Sequence, residues 1–446
     1  MSAVNPFDVY LRQLEVQFFR EPTVGFAGRL VALLALTGLH ILLGIVYISL
    51  NAQPLLKRYG GGGIWMFRKV RRGSNSYYVP NARLLGPICT IVWGAIVLGY
   101  ISDNKRVFVD HGDYTTATWV LRGIQWIPLF LAGWLVSSAF LQAYFLASSE
   151  TDGRRLSSRA WNLILLLSGL VLFALQLGLA TWAIVAGERL WDQYVIFHAL
   201  LTKLSSEWTG VLDASALASL SEPYNTFLGS ADHFRTATTV QYTTLFLLPL
   251  GCLLLNLGGL FLARRLDQQA SAQIERLTTG TYNIELSLEG DTASSPPPPI
   301  LEADRRGSVS TTALRKLATK KHGEGEAALE LASIQATEVL EMLKAKSDLV
   351  TNCISIGAGS CVILGSAIYI AVIVGRNEFV AGNWASFEAA LFSITWEMDL
   401  LLPVIYTVLI VNEIMLRRVH HARGESGSRR PSAATIGSDA LMSEIA

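Results

Sequence analysis

Apolar residues in this chain are gathered into long blocks without charge, and polar residues fall in the stretches between them. A helix that rises 1.5 Å per residue needs about 20 apolar residues to cross a hydrocarbon core of about 30 Å. The blocks therefore predict about seven membrane-spanning helices and an all-α fold class, a polytopic membrane helix bundle. The predicted spans are residues 30–50, 84–102, 126–146, 163–186, 242–263, 349–374 and 391–410.

Composition agrees with this pattern and narrows the class of protein. Of the 446 residues, 51% are hydrophobic and 16% are charged, whereas soluble domains carry about 25% charged residues. The four cysteines all lie inside apolar blocks, which favours small buried side chains over a disulfide framework. The first residues lack the pattern of a cleavable signal, so we expect the first span to serve as the targeting element.

Positive charge is divided unequally between the two sides of the predicted bundle. All 36 Lys and Arg residues lie between the spans, and the two alternating sets of segments hold 26 and 10 of them. The short segment 51–83 has seven basic residues and no acidic one. Basic residues in short loops near the first spans remain in the cytoplasm. We therefore expect an outside N-terminus, a cytoplasmic C-terminus and a plasma-membrane location.

Residues 1–29 form the outside segment before the first span. Their helical pattern has one apolar face, which favours an interfacial helix at the membrane surface, with a frayed terminus as the alternative. This face carries Phe7, Tyr10, Leu11, Leu14 and Phe18.

The first five spans occupy residues 30–263 and include a long outside loop, residues 187–240. The loop is rich in aromatic residues, and this apolar content argues against disorder. We expect it to fold over the end of the bundle, either as a lid over a ligand or as a cap that only packs.

The largest polar segment is the cytoplasmic loop 264–348. Its part at about 285–325 is rich in Pro, Ser and Arg, which predicts disorder. A helical pattern then leads into the sixth span, and this helix either transmits a displacement of that span or packs on its own bundle. Spans six and seven occupy residues 349–414, and residues 415–446 form a basic disordered tail.

Three ionisable residues lie within the predicted spans: His40, Glu397 and Asp399. Such groups are costly in a bilayer and are candidates for function, although His40 alternatively makes only a hydrogen bond to a neighbouring helix. Glu397 and Asp399 point about 200° apart on a helix. Either one of them is interior and the other reaches the interface, or the segment from Trp396 to Asp399 marks the water boundary.

Four serines on the side predicted to be cytoplasmic follow the pattern Arg-Arg-X-Ser: Ser74, Ser157, Ser308 and Ser432. A basophilic kinase recognises such sites because its carboxylates pair with both guanidinium groups. A phosphate there would weaken the attraction of the basic segments to anionic lipids.

Small residues recur on one face of the sixth span, at Gly357, Cys361 and Gly365, and this spacing permits close helix packing. Motifs of soluble enzymes, nucleotide-binding loops and metal-ligand spacings are missing from the sequence. We therefore expect no enzyme activity, no cofactor, no metal and no nucleic-acid partner.

The predicted architecture resembles that of seven-span receptors, in particular fungal orphan receptor-like membrane proteins. It shares with them seven helices, an outside N-terminus, a long third cytoplasmic loop and a basic tail, so the resemblance is one of topology. The Asn-Pro-X-X-Tyr motif of the best-known receptor class does not occur, and residues 402–406 (Leu-Pro-Val-Ile-Tyr) are only a faint echo of it. The resemblance implies a sensor that couples an outside stimulus to a phosphorylatable loop and tail and to a cytoplasmic signalling partner. The alternative is a small-molecule or lipid transporter or translocator, or a membrane scaffold.

Overall fold

Helices dominate the computed structural model, which describes residues 5–58, 66–72, 75–147, 157–211, 214–289, 357–370 and 384–424, with shorter pieces at 339, 343, 346–347, 349–351, 353–354 and 372. The elements are α1 (Pro6–Phe18), α2 (Phe26–Arg58), β1 (Phe67–Arg72), β2 (Asn75–Pro80), α3 (Ala82–Phe108), α4 (Thr116–Ile124), α5 (Trp126–Ala147), α6 (Ser158–Ser206), α7 (Ala214–Glu289), α8 (Gly357–Ile370) and α9 (Trp384–Gly424).

Six helical segments within the described residues are long and apolar enough to cross a bilayer. They correspond to the first five predicted spans and the last one, and α8, which lies in the predicted sixth span, is a shorter apolar helix. The chain is thus an integral membrane protein built as a helix bundle. The six segments are Phe26–Asn51, Ala82–Phe108, Thr116–Ala139, Ser158–Ser206, Ala214–Glu275 and Trp384–Ile414.

Residues 187–240, treated above as a loop, are almost entirely helical. Helix α6 continues to Ser206 and α7 begins at Ala214, so a short connection joins two long helices. The reason is visible in the spacing of the apolar side chains on α6. Leu190, Tyr194, Phe197 and Leu201 follow one another by four, three and four residues and form one buried helical face.

Helix α1 covers that face of α6. Its N-terminus is capped by Asn5, whose side chain accepts a hydrogen bond from the Phe7 amide at 3.0 Å, and Pro6 occupies the first turn. Phe7 and Leu14 are buried against α6 and against Phe227 of α7. Phe7 and Leu14 of the predicted apolar face therefore pack on protein, whereas Tyr10 of the same face is 59% exposed.

The largest core joins α2, α3 and α9. Its fully buried side chains include Leu33 of α2, Trp93 and Ile101 of α3, and Phe392 and Ile394 of α9. Each fully buried side chain of this size contributes about 1.5–3 kcal/mol in a soluble protein. In a bilayer, where lipid tails are equally apolar, close packing and polar contacts between the helices become decisive instead.

A β-hairpin connects α2 to α3 within the basic segment 51–83. Strands β1 and β2 pair antiparallel, with Phe67 opposite Pro80 and Arg72 opposite Asn75. Asn162 of α6 holds β2 by two hydrogen bonds: its side chain accepts from the Tyr78 amide at 3.1 Å and donates to the Ser76 carbonyl at 2.9 Å. The hairpin thus adds a small two-stranded sheet to the expected all-α fold.

Residues 255–289 and the described positions from 339 to 354 belong to a second compact unit. The Asn256 side chain donates to the Cys353 carbonyl at 2.6 Å, and Lys346 pairs with Asp267 at 2.5 Å. Asn256 contacts the later residue Cys353, and Asp267 contacts the earlier residue Lys346. The two segments therefore run antiparallel. In the helix that leads into the predicted sixth span, Lys346 thus contacts α7.

Candidate functional site

A group of polar side chains is buried at the contact of α2, α3 and α9. We call Thr37, His40, Thr90, Asp399 and Tyr406 the Asp399 cluster. Thr37, His40 and Asp399 have 0% of their surface exposed. Buried ionisable groups inside a membrane bundle are costly unless they are paired, so this cluster is the first candidate for a functional site.

Hydrogen bonds connect the members of the Asp399 cluster. The Asp399 carboxyl Oδ1 lies 2.7 Å from His40 Nδ1, and Thr37 Oγ1 donates to Oδ2 at 2.5 Å. Thr37 and His40 are three residues apart on α2, so both side chains reach Asp399 from one helix face. On the far side, the Thr90 and Tyr406 hydroxyl groups are hydrogen-bonded to each other.

Both ring nitrogens of His40 face oxygen acceptors. Nδ1 meets the Asp399 carboxyl, and Nε2 lies 3.3 Å from the Thr90 carbonyl oxygen. A neutral imidazole carries only one N–H. The contacts are satisfied when a proton lies between His40 Nδ1 and Asp399 Oδ1, carried either by the ring or by the carboxyl group.

Helix α3 closes the cluster on one side by close approach. The Trp93 ring stacks on the His40 ring with centroids 5.4 Å apart. The next residue is Gly94, and a Cβ atom there would lie 2.5 Å from His40 Nε2. Only glycine at position 94 leaves room for the imidazole in this orientation.

The two acids of the last span face different helices. Asp399 points to α2, whereas the Glu397 carboxyl accepts a hydrogen bond from the Ser366 hydroxyl of α8. Asp399 lies in the interior of the helix bundle, with 0% of its surface exposed. The second carboxyl oxygen of Glu397 is buried and has no hydrogen-bond partner among the described residues.

A second candidate site is a cleft at the end of the bundle where α2 begins and α3 ends. It has a volume of about 1220 Å³ and is walled by the end of α1, the connection from α3 to α4 and one face of α6. We call it the Arg20 cleft. Its charged lining residues are Glu15, Arg20, Glu21 and Asp113, and its aromatic ones are Phe19, Tyr114, Trp191 and Tyr194; His111 and His198 also line it.

Arg20 is the basic residue of this cleft. Only 5% of its surface is exposed, and its Nε and Nη1 atoms have no hydrogen-bond partner among the described residues. The guanidinium lies over the Phe387 ring, with Cζ 5.1 Å from the centroid. Burial lowers the pKa of Arg20 from its ordinary value, and this is the mark of a cation held away from water.

The aromatic side chains of the cleft form a connected wall. The Trp191 and Tyr194 rings stack with centroids 4.9 Å apart, and Tyr114 lies 5.2 Å from Trp191. The Tyr114 hydroxyl donates to the Phe18 carbonyl at 3.1 Å, which ties the connection between α3 and α4 to the end of α1. A tyrosine hydroxyl is protonated at neutral pH and can donate this bond, and burial raises the pKa of Tyr114 further above its ordinary value.

Of the serines in Arg-Arg-X-Ser patterns, only Ser157 lies within the described residues. It is exposed and caps α6, since its hydroxyl accepts a hydrogen bond from the Ala160 amide at 3.2 Å. Ser74, Ser308 and Ser432 lie outside the described residues, as do residues 290–325 and 425–446. The first part of the expected tail, up to Gly424, is helical.

The small residues of α8 do not all serve close packing. Cys361 is exposed, and a Cβ atom at Gly365 would meet nothing within 4 Å. Close approach occurs instead at Gly359, where a Cβ atom would lie 2.9 Å from Leu401. The reason is rotational: position 359 lies two residues from Gly357, about 200° around the helix.

Several site residues were not singled out by the sequence pattern. Thr37 lies one helical turn before His40, a spacing that a search for partners of His40 would have found. Thr90 and Arg20 carry no such signal, and Tyr406 was noted only in the comparison with the Asn-Pro-X-X-Tyr motif. The roles of all three depend on which helices meet.

No protein-family model, curated protein or solved structure matches this chain. Among the described residues, no group of three or more His, Cys, Asp or Glu side chains is placed to hold a metal ion. The fold therefore defines the class, a helical integral membrane protein, and its function is argued from the two sites alone.

Proposed function

We propose that this chain is a seven-span plasma-membrane sensor in which an outside ligand enters the Arg20 cleft and alters what the cytoplasmic segments present. The observation that carries the proposal is the buried Arg20 side chain, whose Nε and Nη1 atoms have no hydrogen-bond partner among the described residues, in the wall of a large aromatic cleft. A site that keeps an unsatisfied cation is built for a ligand that supplies an acceptor.

The proposed orientation places the cleft outside. The cleft lies where α2 begins and α3 ends, and the basic hairpin lies between the other ends of the same two helices. Because basic residues near early spans remain in the cytoplasm, the hairpin is assigned to the cytoplasm and the cleft to the exterior.

The proposed sixth span, which would bring the number of crossings to seven, includes α8. Ser366 of α8 pairs with Glu397 of α9, and Gly359 lies against Leu401. The later residue of α8, Ser366, thus meets the earlier residue of α9, Glu397. The two helices therefore run antiparallel and side by side. This arrangement supports a bilayer crossing by α8 together with the flanking residues of 349–374.

A packed interior favours a sensor over a transporter. Between the Arg20 cleft and the Asp399 cluster, α2 places Phe26, Leu30 and Leu33 in the core, each with 2% or less of its surface exposed. These side chains separate the cleft from the cluster in this conformation. A ligand in the cleft would act by shifting helices, and the Asp399 cluster would couple α2 to α9.

The test replaces residues 285–325 of the full chain by a Gly/Ser segment of equal length. Cells with the wild-type chain, with this variant and with no chain are compared by transcript profile, at matched surface expression. A sensor predicts that the variant reproduces the profile of cells without the chain. A wild-type profile from the variant would refute signalling through this segment.

The transporter alternative is favoured by one observation, a buried carboxyl oxygen of Glu397 that has no hydrogen-bond partner in the described part of the chain. Carboxyl groups of this kind serve proton or cation pathways in carriers. Flux of labelled small solutes into proteoliposomes, measured with wild-type protein, His40→Ala and Glu397→Gln, distinguishes the two functions. Flux that depends on either residue would favour transport, and its absence would favour the sensor.

A further inference from the structure

The Arg20 cleft has features that define the chemistry of its ligand. Arg20 lines the cleft, and its buried Nε and Nη1 N–H groups have no partner among the described residues. A guanidinium pairs best with the oxygens of a carboxylate or phosphate, in a planar two-bond geometry. One end of the ligand is therefore anionic.

A ligand that carries only negative charge fits the rest of the cleft poorly. Glu15, Glu21 and Asp113 line the same cavity, so three acidic residues accompany one arginine. Glu15 is 3.0 Å from His198, whereas Arg106 donates a hydrogen bond to the backbone carbonyl of Asp113 and not to its carboxylate. A cationic group on the ligand would relieve the repulsion that these acids exert on its anionic end.

The aromatic wall can bind the apolar part of the ligand. Trp191, Tyr194 and Tyr114 line the cleft, and aromatic side chains bind apolar groups and also attract ammonium groups. The volume of about 1220 Å³ is ample for a molecule larger than a single amino acid.

We propose that the Arg20 cleft binds a soluble zwitterion of dipeptide size, with its carboxylate on Arg20, its ammonium group towards the acidic residues and its apolar side chains on the aromatic wall. This inference rests on the proposed function, because it names the ligand class of the same cleft. The chemistry of a zwitterion is shared by two sources, a soluble peptide and a lipid headgroup, and the experiment separates them.

The experiment measures binding to the full chain in nanodiscs by equilibrium dialysis. The probe is tritiated phenylalanyl-phenylalanine, and its N-acetyl and C-terminal amide forms compete with it. Each form removes one charge and leaves the apolar side chains unchanged. We expect each to bind about tenfold to a hundredfold more weakly, as the loss of one charged hydrogen bond or ion pair predicts.

Variants of Arg20 locate the carboxylate. In Arg20→Gln, the free peptide should bind as weakly as its amide form, and the two should no longer differ. Arg20→Lys keeps the charge but loses the planar fork, so we expect an intermediate affinity. Arg12→Gln is the matched control, because Arg12 lies on α1 and is exposed, and it should bind like the wild type.

The results that would overturn the proposal are equally specific. They are absence of binding by the free peptide, equal binding by either modified form, or an unchanged preference in Arg20→Gln. The comparison of modified peptides uses wild-type protein, so it stands even if a variant fails to fold. Weaker binding in phosphatidylethanolamine nanodiscs than in phosphatidylglycerol nanodiscs would show that a lipid headgroup occupies the cleft, and would overturn the assignment to a soluble ligand.

The proposed ligand class and the proposed sensor function can be refuted independently. Dialysis measures binding without any cellular response, whereas the replacement of residues 285–325 measures the response without a known ligand. Failure of the peptide with a positive replacement experiment would reject the ligand class alone. The reverse result would reject the sensor and leave a binding site.

Discussion

Replacing Asp399 by leucine tests whether the Asp399 cluster is more than an ordinary contact between helices. The substitution leaves His40 Nδ1 buried without its partner at 2.7 Å. Thr37 keeps a second acceptor, the Leu33 carbonyl at 2.8 Å, so the loss falls mainly on His40. Breaking one side of a buried pair costs about 3–5 kcal/mol, and we expect a loss of about 3 kcal/mol in the free energy of unfolding.

A double-mutant cycle isolates the energy of the pair. The variants are His40→Leu, Asp399→Leu and the double substitution, unfolded by SDS titration of the purified protein in bicelles. Replacing both partners by apolar residues is often neutral, so the double variant should recover most of the stability that the single variants lose. Hydrogen bonds between membrane helices give coupling energies near 0.6 kcal/mol and at most about 1.7 kcal/mol. We expect at least about 2 kcal/mol.

The matched control for this cycle is the pair formed by Lys105 and Asp110. Their charged atoms are 3.0 Å apart, but the side chains are 40% and 52% exposed. Exposed pairs of this kind contribute less than about 1 kcal/mol. A coupling energy for His40 and Asp399 that is no larger than that of the control pair would refute the reasoning.

Three further substitutions test other parts of the structure. Gly94→Ala forces His40 to move and should lower the free energy of unfolding, measured by SDS titration, by about 1–3 kcal/mol. Gly178→Ala is the control, because Gly178 faces open space on α6 and its substitution should not destabilise the protein. Equal effects of the two substitutions would contradict the packing at His40. Asn162→Ala removes two hydrogen bonds from β2 and should speed trypsin cleavage of the hairpin in nanodiscs, and an unchanged rate would contradict its anchoring role. Leu14→Asp places a charge in the α1 contact and should raise hydrogen exchange throughout α1, and unchanged protection would show that the contact is not formed.

Much of the membrane architecture followed from sequence because one physical constraint dominates it. A helix that crosses a bilayer must be apolar over a fixed length, and six of the predicted spans meet this requirement in the described residues. The same rule says little about residues beyond the bilayer. Residues 187–240 lacked a continuous apolar block, so the helical spacing from Leu190 to Leu201 was overlooked.

For the candidate sites too, the sequence predicted some features and not others. His40 and Asp399 were marked because an ionisable group in an apolar block stands out in any sequence. The sequence did not predict that His40 and Asp399 contact each other, or that Glu397 bonds to Ser366. Both contacts depend on how α9 is rotated about its axis between α2 and α8. Arg20 lies in a polar segment where arginine is unremarkable, and only its burial beside Phe387 reveals it.

Cysteine labelling in intact cells tests the central claim, that the Arg20 cleft faces the exterior and the basic hairpin the cytoplasm. Gln13 on α1 and Tyr78 on the hairpin are both exposed and are replaced singly by cysteine. A maleimide that cannot cross membranes should label Gln13→Cys in intact cells and Tyr78→Cys only after permeabilisation. Labelling of Tyr78→Cys in intact cells, with Gln13→Cys protected, would contradict the account.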